Sequence, residues 1–361
     1  MKKKCRFVGI MFLCIIIVCT VLVMIYERAT NNNTNEKENF TVVTSFYPMY
    51  IAALNIVDGA DGVTLENLSE PQTGCLHDFQ LTPEDMKLLS TADLFVINGG
   101  GIESFMSDVA KAYPDLTVVE ACKNVELINE SEEDVDTHDH DHEADSDETD
   151  HDHDHEADSD ETDHDHDHEA DSDETDHDHE TDSDESGHDH DHGDENAHAW
   201  MSVARYRVMV STIAESLSKA DPSNAAIYDS NAKKYDAKLA ELEEKEKEIK
   251  QKTAGNDIII FHEAYEYVAD DFGMNVCYLM DLDEERAVSA GEVSDVINAV
   301  RNDGVSVILA EELYGKDLGD TVSRETDVKM VYIDPLNRGN YDKNSYIEGM
   351  EKNFELIEAA F

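Results

Sequence analysis

DPSNAAIYDSNAKKYDAKLAELEEKEKEIKQKTAG, residues 221–255, is the stretch whose reading decides the fold. Asp221-Pro222 opens a helix, and Tyr228, Ala232, Tyr235, Leu239, Leu242 and Ile249 fall on one stripe, with Glu and Lys filling most other positions up to Gly255. About 30 residues at 1.5 Å each make a rod of roughly 45 Å, longer than an ordinary lobe is wide. Such a helix is expected to bridge two lobes. The chain alternates on both sides of it. Before it, Phe40–Phe46, Val63–Leu68, Leu94–Ile97 and Leu116–Val119 read as strands, and Pro48–Asp58, the segment from Thr82, Ile102–Tyr113 and Ala199–Lys219 read as helices. After it, strands are expected at Asp257–Phe261, Asn275–Met280, Val305–Ala310 and Lys329–Ile333, and helices at Glu263–Phe272, Gly291–Arg301, Lys316–Asp327 and Asn344–Ala360. The predicted class is α/β: two lobes, each a four-stranded mainly parallel sheet flanked by helices, joined by one long rigid helix. Gly99-Gly100-Gly101 lacks the spaced glycine fingerprint of a phosphate loop and reads as a tight turn.

Two segments stand outside this alternation. Lys2, Lys3, Lys4 and Arg6 precede Phe7–Tyr26, 20 residues without a charge. Positive charge before an apolar run of that length predicts a membrane anchor with the bulk of the chain outside the cytoplasm. A cleavable signal has a shorter core and small residues at its cut site. Lipidation at Cys19 is the alternative, although Val18 precedes it where a lipid site calls for Gly, Ala or Ser. In both cases the protein is tethered to the outer face of the cell membrane. The organisation expected is an anchor and spacer over 1–39, a first lobe over 40–130 and 197–220, a loop over 131–196, the linker helix over 221–255 and a second lobe over 256–361.

The loop is compositionally extreme. Between Glu132 and Glu195 there are 34 Asp plus Glu, 14 His and no Lys or Arg. His138, His151, His164 and His177 recur every thirteen residues, followed by His140, His142, His153, His155, His166, His168 and His179, and a last group at His188, His190 and His192. With almost no apolar side chain the segment cannot offset its ordering entropy and is expected to be disordered. Alternating imidazole and carboxylate offer nitrogen and oxygen donors on a chain free to choose its geometry, hence auxiliary, weak, exchangeable metal sites. The formal charge is −57, and the tract accounts for 34 of these negatives, leaving −23 elsewhere. Nothing basic is clustered beyond the N-terminus, which excludes nucleic acid as a partner and favours a cationic ligand. Only Cys75, Cys122 and Cys277 lie beyond the apolar segment, so no disulfide framework is read. Cys75 stands two residues before His77.

Of 17 His, three lie outside the tract: His77 after the second strand, His198 closing the connection after the fourth, and His262 ending Ile258-Ile259-Ile260-Phe261. Any one alone would read as a structural histidine. Ligands of parallel α/β sheets bind beyond the carboxyl ends of strands, so all three can converge on one cleft, and three imidazoles with an open fourth position suit zinc.

Gly74-Cys75-Leu76-His77-Asp78-Phe79, Asn196-Ala197-His198-Ala199-Trp200, Phe261-His262-Glu263-Ala264-Tyr265 and Ile333-Asp334-Pro335-Leu336 resemble the motifs of the zinc-binding subfamily of ABC importer substrate-binding proteins. The similarity runs from about Phe40 to Phe361 and includes the place of the His-rich loop. It implies a metal held between lobes by His77 and His198 from the first and His262 from the second. It also implies Zn²⁺ as transported ligand, an importer permease in the cytoplasmic membrane as partner, a monomer, and no enzymatic activity. Manganese-binding relatives carry Glu where His262 stands. The chain departs from the pattern in two places: Asn337 replaces a carboxylate found after the Pro-Leu pair in some relatives, and Leu76 replaces an acid before the first His in others. Water, Glu311, Glu312, Asp334 or Asn337 are therefore the candidates for a fourth ligand. Two other readings compete. A zinc-dependent hydrolase would use Glu263 as base, but no HExxH is present. A surface zinc buffer or adhesin would need no transporter.

Overall fold

The computed structural model describes residues 39–71, 73–77, 79–129, 195–282 and 286–361. The apolar segment Phe7–Tyr26 and the His-rich repeats lie outside the described residues, and no described helix is long and apolar enough to cross a membrane. The first half runs β1 (Phe40–Thr44), α1 (Tyr47–Ile56), β2 (Val63–Asn67), α2 (Pro83–Leu89), β3 (Leu94–Ile97), α3 (Met106–Ala112), β4 (Thr117–Glu120) and β5 (Ile128–Asn129). After the tract come β6 (Glu195–Asn196), α4 (Val203–Ala220) and the long α5 (Ala225–Thr253). The second half is β7 (Asp257–Ile260), α6 (Tyr265–Phe272), β8 (Asn275–Leu279), α7 (Ala290–Asp303), β9 (Val307–Ala310), α8 (Glu312–Glu325), β10 (Lys329–Tyr332) and α9 (Ser345–Glu358).

Both four-stranded sheets are wholly parallel and share one order, β2-β1-β3-β4 and β8-β7-β9-β10. The order reverses between β1 and β3 and between β7 and β9, and at such points the chains leaving neighbouring strands diverge and open a crevice. β7 explains its own apolar run. Ile258 and Ile260 join the larger core with Leu239 and Leu242 of α5, whereas Ile259 and Phe261 join a second core beneath α7 and α8. A strand buried on both faces has no polar side to present, so it reads as continuous rather than alternating.

The stripe on α5 is buried as its spacing predicts, with Tyr228, Tyr235, Leu239, Leu242 and Ile249 facing inward. The helix is fastened at both ends to different halves of the chain. Asn231 Nδ2 donates to the carbonyls of Ile56 (3.1 Å) and Asp58 (2.8 Å) after α1. Lys238 Nζ donates to Asn344 Oδ1 (3.2 Å), Lys245 pairs with Glu351, and Lys252 pairs with Glu358 at 2.5 Å. Steps of seven on both helices keep α5 and α9 side by side in parallel, since seven residues are close to two turns.

One element has no counterpart in the sequence pattern: β5 and β6 pair antiparallel, Ile128 opposite Asn196 and Asn129 opposite Glu195, so the two ends of the tract are closed by a short ladder. Tyr267 of α6 holds it, its hydroxyl donating to Asn196 O (2.6 Å) and accepting from Ile128 N–H (3.2 Å). At the crevice of the first sheet the carboxylate of Glu103 accepts from Ser45 Oγ (2.8 Å), Asn98 N (2.7 Å) and Gly99 N (3.0 Å), tying the loops after β1 and β3 together.

Burial pushes the Glu103 carboxyl up to about 7 despite these donors. The folded state therefore keeps a proton that the unfolded chain loses near its ordinary value of 4.5, so the stability contributed by Glu103 is present below that pH and is lost as pH rises through about 7. Thermal melts between about pH 5 and 8 should show Glu103→Gln losing stability with rising pH less steeply than the parent. Parallel slopes in the two proteins would contradict this.

Candidate metal centre

His198 lies two residues beyond β6 and caps a single 3₁₀ turn, Ala199–Met201. That turn is locked: Trp200 Nε1 donates to Pro335 O (2.9 Å), Trp200 O accepts from the Tyr346 hydroxyl (2.7 Å), and the Trp200 ring meets Phe46 edge-on at 5.1 Å. His262 lies two residues beyond β7 in the crevice of the second sheet. His77 comes from the loop after β2, where Leu76 is buried in the core and so turns its neighbours Cys75 and His77 outward together. The structure brings all three histidines to one place. His77 Nε2 is 3.4 Å from His198 Nε2, and the rings of His198 and His262 are 5.0 Å apart. His198 and His262 are fully buried, while the His77 side chain is 29% exposed and stands at the entrance.

The tautomer of His198 follows from its neighbours. Asn196 Nδ2 is committed to Glu263 O and Glu266 Oε2, both at 2.9 Å, which leaves its Oδ1 to accept from the backbone N–H and from Nδ1–H of His198, each at 3.0 Å. Glu263 Oε1 also lies 3.2 Å from that Nδ1. With Nδ1 carrying the proton, the lone pair of His198 is on Nε2, facing His77. This is how metal-binding imidazoles are aimed by a carboxylate or amide behind them. Charge is also controlled. Burial holds His198 well below the ordinary imidazole range, aided by His262 and His77, and burial together with His77 and Arg338 brings His262 down to about 3. Both therefore stay neutral with a lone pair to give. His262 Nδ1 is buried without a hydrogen-bond partner among the described residues.

Two groups of donors lie within ligand distance of a single cation, and they share His198: Cys75 with His198 and His262, and His77 with His198 and Glu263. Glu311 and Asp334 stand outside both. Glu311 pairs with Arg338 at 3.0 Å, Asp334 Oδ1 accepts from Leu336 N–H (2.8 Å) and shapes the turn, and Asn337 Nδ2 donates to Cys75 Sγ (3.0 Å). Glu312 opens α8 at its first residue. Gly74 shows how closely the halves meet here, because its φ is +92° and a Cβ would lie 3.2 Å from the Arg338 guanidinium. Sequence reasoning missed the parts played by Asn196, Glu263 and Cys75. The one available signal was their position, each within two residues of a candidate histidine.

Two parallel-sheet lobes whose strand ends enclose buried, neutral imidazoles define a bilobal binding protein for a cation. The family described as zinc-uptake complex component A, periplasmic, matches residues 42–360, and the chain belongs to it. It is 28% identical over 328 residues to the zinc-binding protein AdcA of Streptococcus pyogenes serotype M3, covering 88% of this chain but only 55% of that protein, so the chain spans about half the length of such relatives. It is 25% identical over 339 residues to the high-affinity zinc uptake system protein ZnuA of Bacillus subtilis, covering 92% and 91%. In fold it is similar to the substrate-binding protein FpvC of Pseudomonas aeruginosa solved with Ni²⁺, with a TM-score of 0.65, 22% identity and coverage of 89% and 96%.

If Asn196 aims His198, then Asn196→Ala should lower zinc affinity about 10–100-fold while the far-ultraviolet spectrum stays that of the parent. Titration against a chelating indicator measures it, and an unchanged affinity would remove Asn196 from the account.

Proposed function

We propose that this protein captures Zn²⁺ outside the cytoplasm, holds it with His77, His198 and His262, and delivers it to an ABC-type permease in the cytoplasmic membrane, working as a monomer and not as an enzyme. The observation that carries the reading is the convergence of three imidazoles, from three distant segments of chain, on one buried cluster. Membership of a zinc-uptake family and relatives named as zinc-binding proteins support it. Two neutral buried imidazoles and one at the entrance suit a cation that arrives through His77 and is then withdrawn from water. In this reading 1–39 tethers the chain to the outer membrane face by its apolar segment or a lipid. Lobes 40–130 with 197–220 and 256–361 close on the ion about the helix 221–255, and loop 131–196, which ends just before His198 in the sequence, collects metal.

Replacing His262 by Ala should weaken tight zinc binding by orders of magnitude, because a buried site loses one of its imidazoles and its link to the second sheet. Isothermal calorimetry of parent and variant decides: equal affinity would refute the cleft assignment.

Deleting residues 132–195 should remove several weak sites and keep one tight one, since tethered donors raise local metal concentration without belonging to the cleft. The weak sites of the intact chain should fade between about pH 7 and 5, where imidazoles near pKa 6.5 take up protons and lose their lone pairs. Loss of the tight site on deletion would make the tract itself the binding site, and unchanged stoichiometry would make it a solvated linker.

A further inference from the structure

Resting on the cleft reading above, we propose that Cys75 supplies a thiolate ligand and makes this a three-imidazole, one-sulfur site that favours soft divalent cations over manganese. Cys75 Sγ is 3.6 Å from His198 Nε2 and 4.0 Å from His262 Nε2. These separations bear on coordination directly. With zinc–nitrogen bonds of about 2.0–2.1 Å and zinc–sulfur bonds of about 2.3 Å, a tetrahedral site has nitrogen–nitrogen edges of about 3.4 Å and nitrogen–sulfur edges of about 3.6 Å. The His77–His198 edge is 3.4 Å and the Cys75–His198 edge is 3.6 Å; the Cys75–His262 edge needs to shorten from 4.0 Å, and His77, which falls in the other donor group, has to move toward Cys75 and His262 before all four donors meet one ion.

The three carboxylates expected to complete the site have other work, Glu311 with Arg338, Glu312 with Lys316 and Asp334 in its turn. Glu263 Oε1 lies 3.2 Å from His198 Nδ1 and 3.6 Å from His77 Nε2, so it backs His198 as an acceptor and stands beside the entrance histidine, in the donor group that does not include Cys75. The sulfur has what a thiolate needs. Asn337 Oδ1 accepts from Arg338 Nε (3.2 Å), which fixes the amide and presents Nδ2 as a donor to Sγ at 3.0 Å, and the Arg338 guanidinium lies over Gly74 beside it. His262, fully buried and with Nδ1 unpartnered among the described residues, turns Nε2 toward the same point. On binding, the thiol loses its proton to solvent and the sulfur lone pair forms the bond to the metal. Soft thiolate selects zinc or cadmium over manganese, which prefers oxygen.

The test loads the full-length protein, its Cys75→Ser variant and its His262→Ala variant with one equivalent of Co²⁺ and records electronic spectra. The parent should show tetrahedral cobalt bands together with sulfur-to-cobalt charge transfer in the near ultraviolet. Cys75→Ser should keep the visible bands, lose the charge-transfer band and bind Cd²⁺ about tenfold or more weakly with little change toward Mn²⁺. Tight cobalt binding, abolished by His262→Ala but without a charge-transfer band in the parent, would overturn the sulfur ligand and leave the imidazole cleft standing. A band that persists in Cys75→Ser would likewise overturn it, assigning the sulfur to another cysteine. Absence of any tight cobalt site in the parent would overturn the cleft and the sulfur together.

Discussion

Two imidazoles buried without charge are the constraint on which the rest of this structure depends. A buried histidine keeps its lone pair only if protonation is made costly, and burial, aided by neighbouring His and Arg338 charges, does this for His198 and His262. Burial in turn requires a wall from every direction, and no single sheet can provide one. The second sheet supplies His262, the segment after β6 supplies His198, and the 3₁₀ turn behind His198 is clamped by Pro335 O and Tyr346 from the other half of the chain. The site and the closeness of the two halves are therefore one requirement.

The long helix meets that requirement mechanically. It is tied near its start to the end of α1 through Asn231 and along its later turns to α9 through Lys238, Lys245 and Lys252. The exposed ion pairs contribute little stability individually. The buried stripe of Tyr228, Tyr235, Leu239, Leu242 and Ile249 does more, because each fully buried apolar side chain is worth about 1.5–3 kcal/mol. A stiff rod with a large buried face holds the two sheets on a common support.

Much of the fold was legible because its signals are local. Ile258-Ile259-Ile260-Phe261 read as a strand and the α5 stripe as a long amphipathic helix, and the structure places both so. The start of α8 was misplaced, since the sequence suggests Lys316 and the helix begins at Glu312. Gly315 argues against helix locally, yet a Cβ there would come within 3.0 Å of Ala310 Cβ, so packing demands the glycine that propensity penalises. The β5–β6 ladder was invisible because two-residue strands carry no period. Among site residues, His77, His198 and His262 stood out by lying at strand exits. The surroundings of Cys75 did not, because Asn337, which addresses its sulfur, lies 262 residues further along the chain.

The account stands or falls on where a single equivalent of zinc goes. Anomalous scattering at the zinc edge, from crystals of protein loaded with one equivalent, locates the ion without reference to spectra or affinities. The account predicts one dominant peak within bonding distance of His77, His198 and His262, at about 2.0–2.1 Å from each nitrogen. A dominant peak elsewhere on the protein, with the imidazole cluster empty, would contradict it.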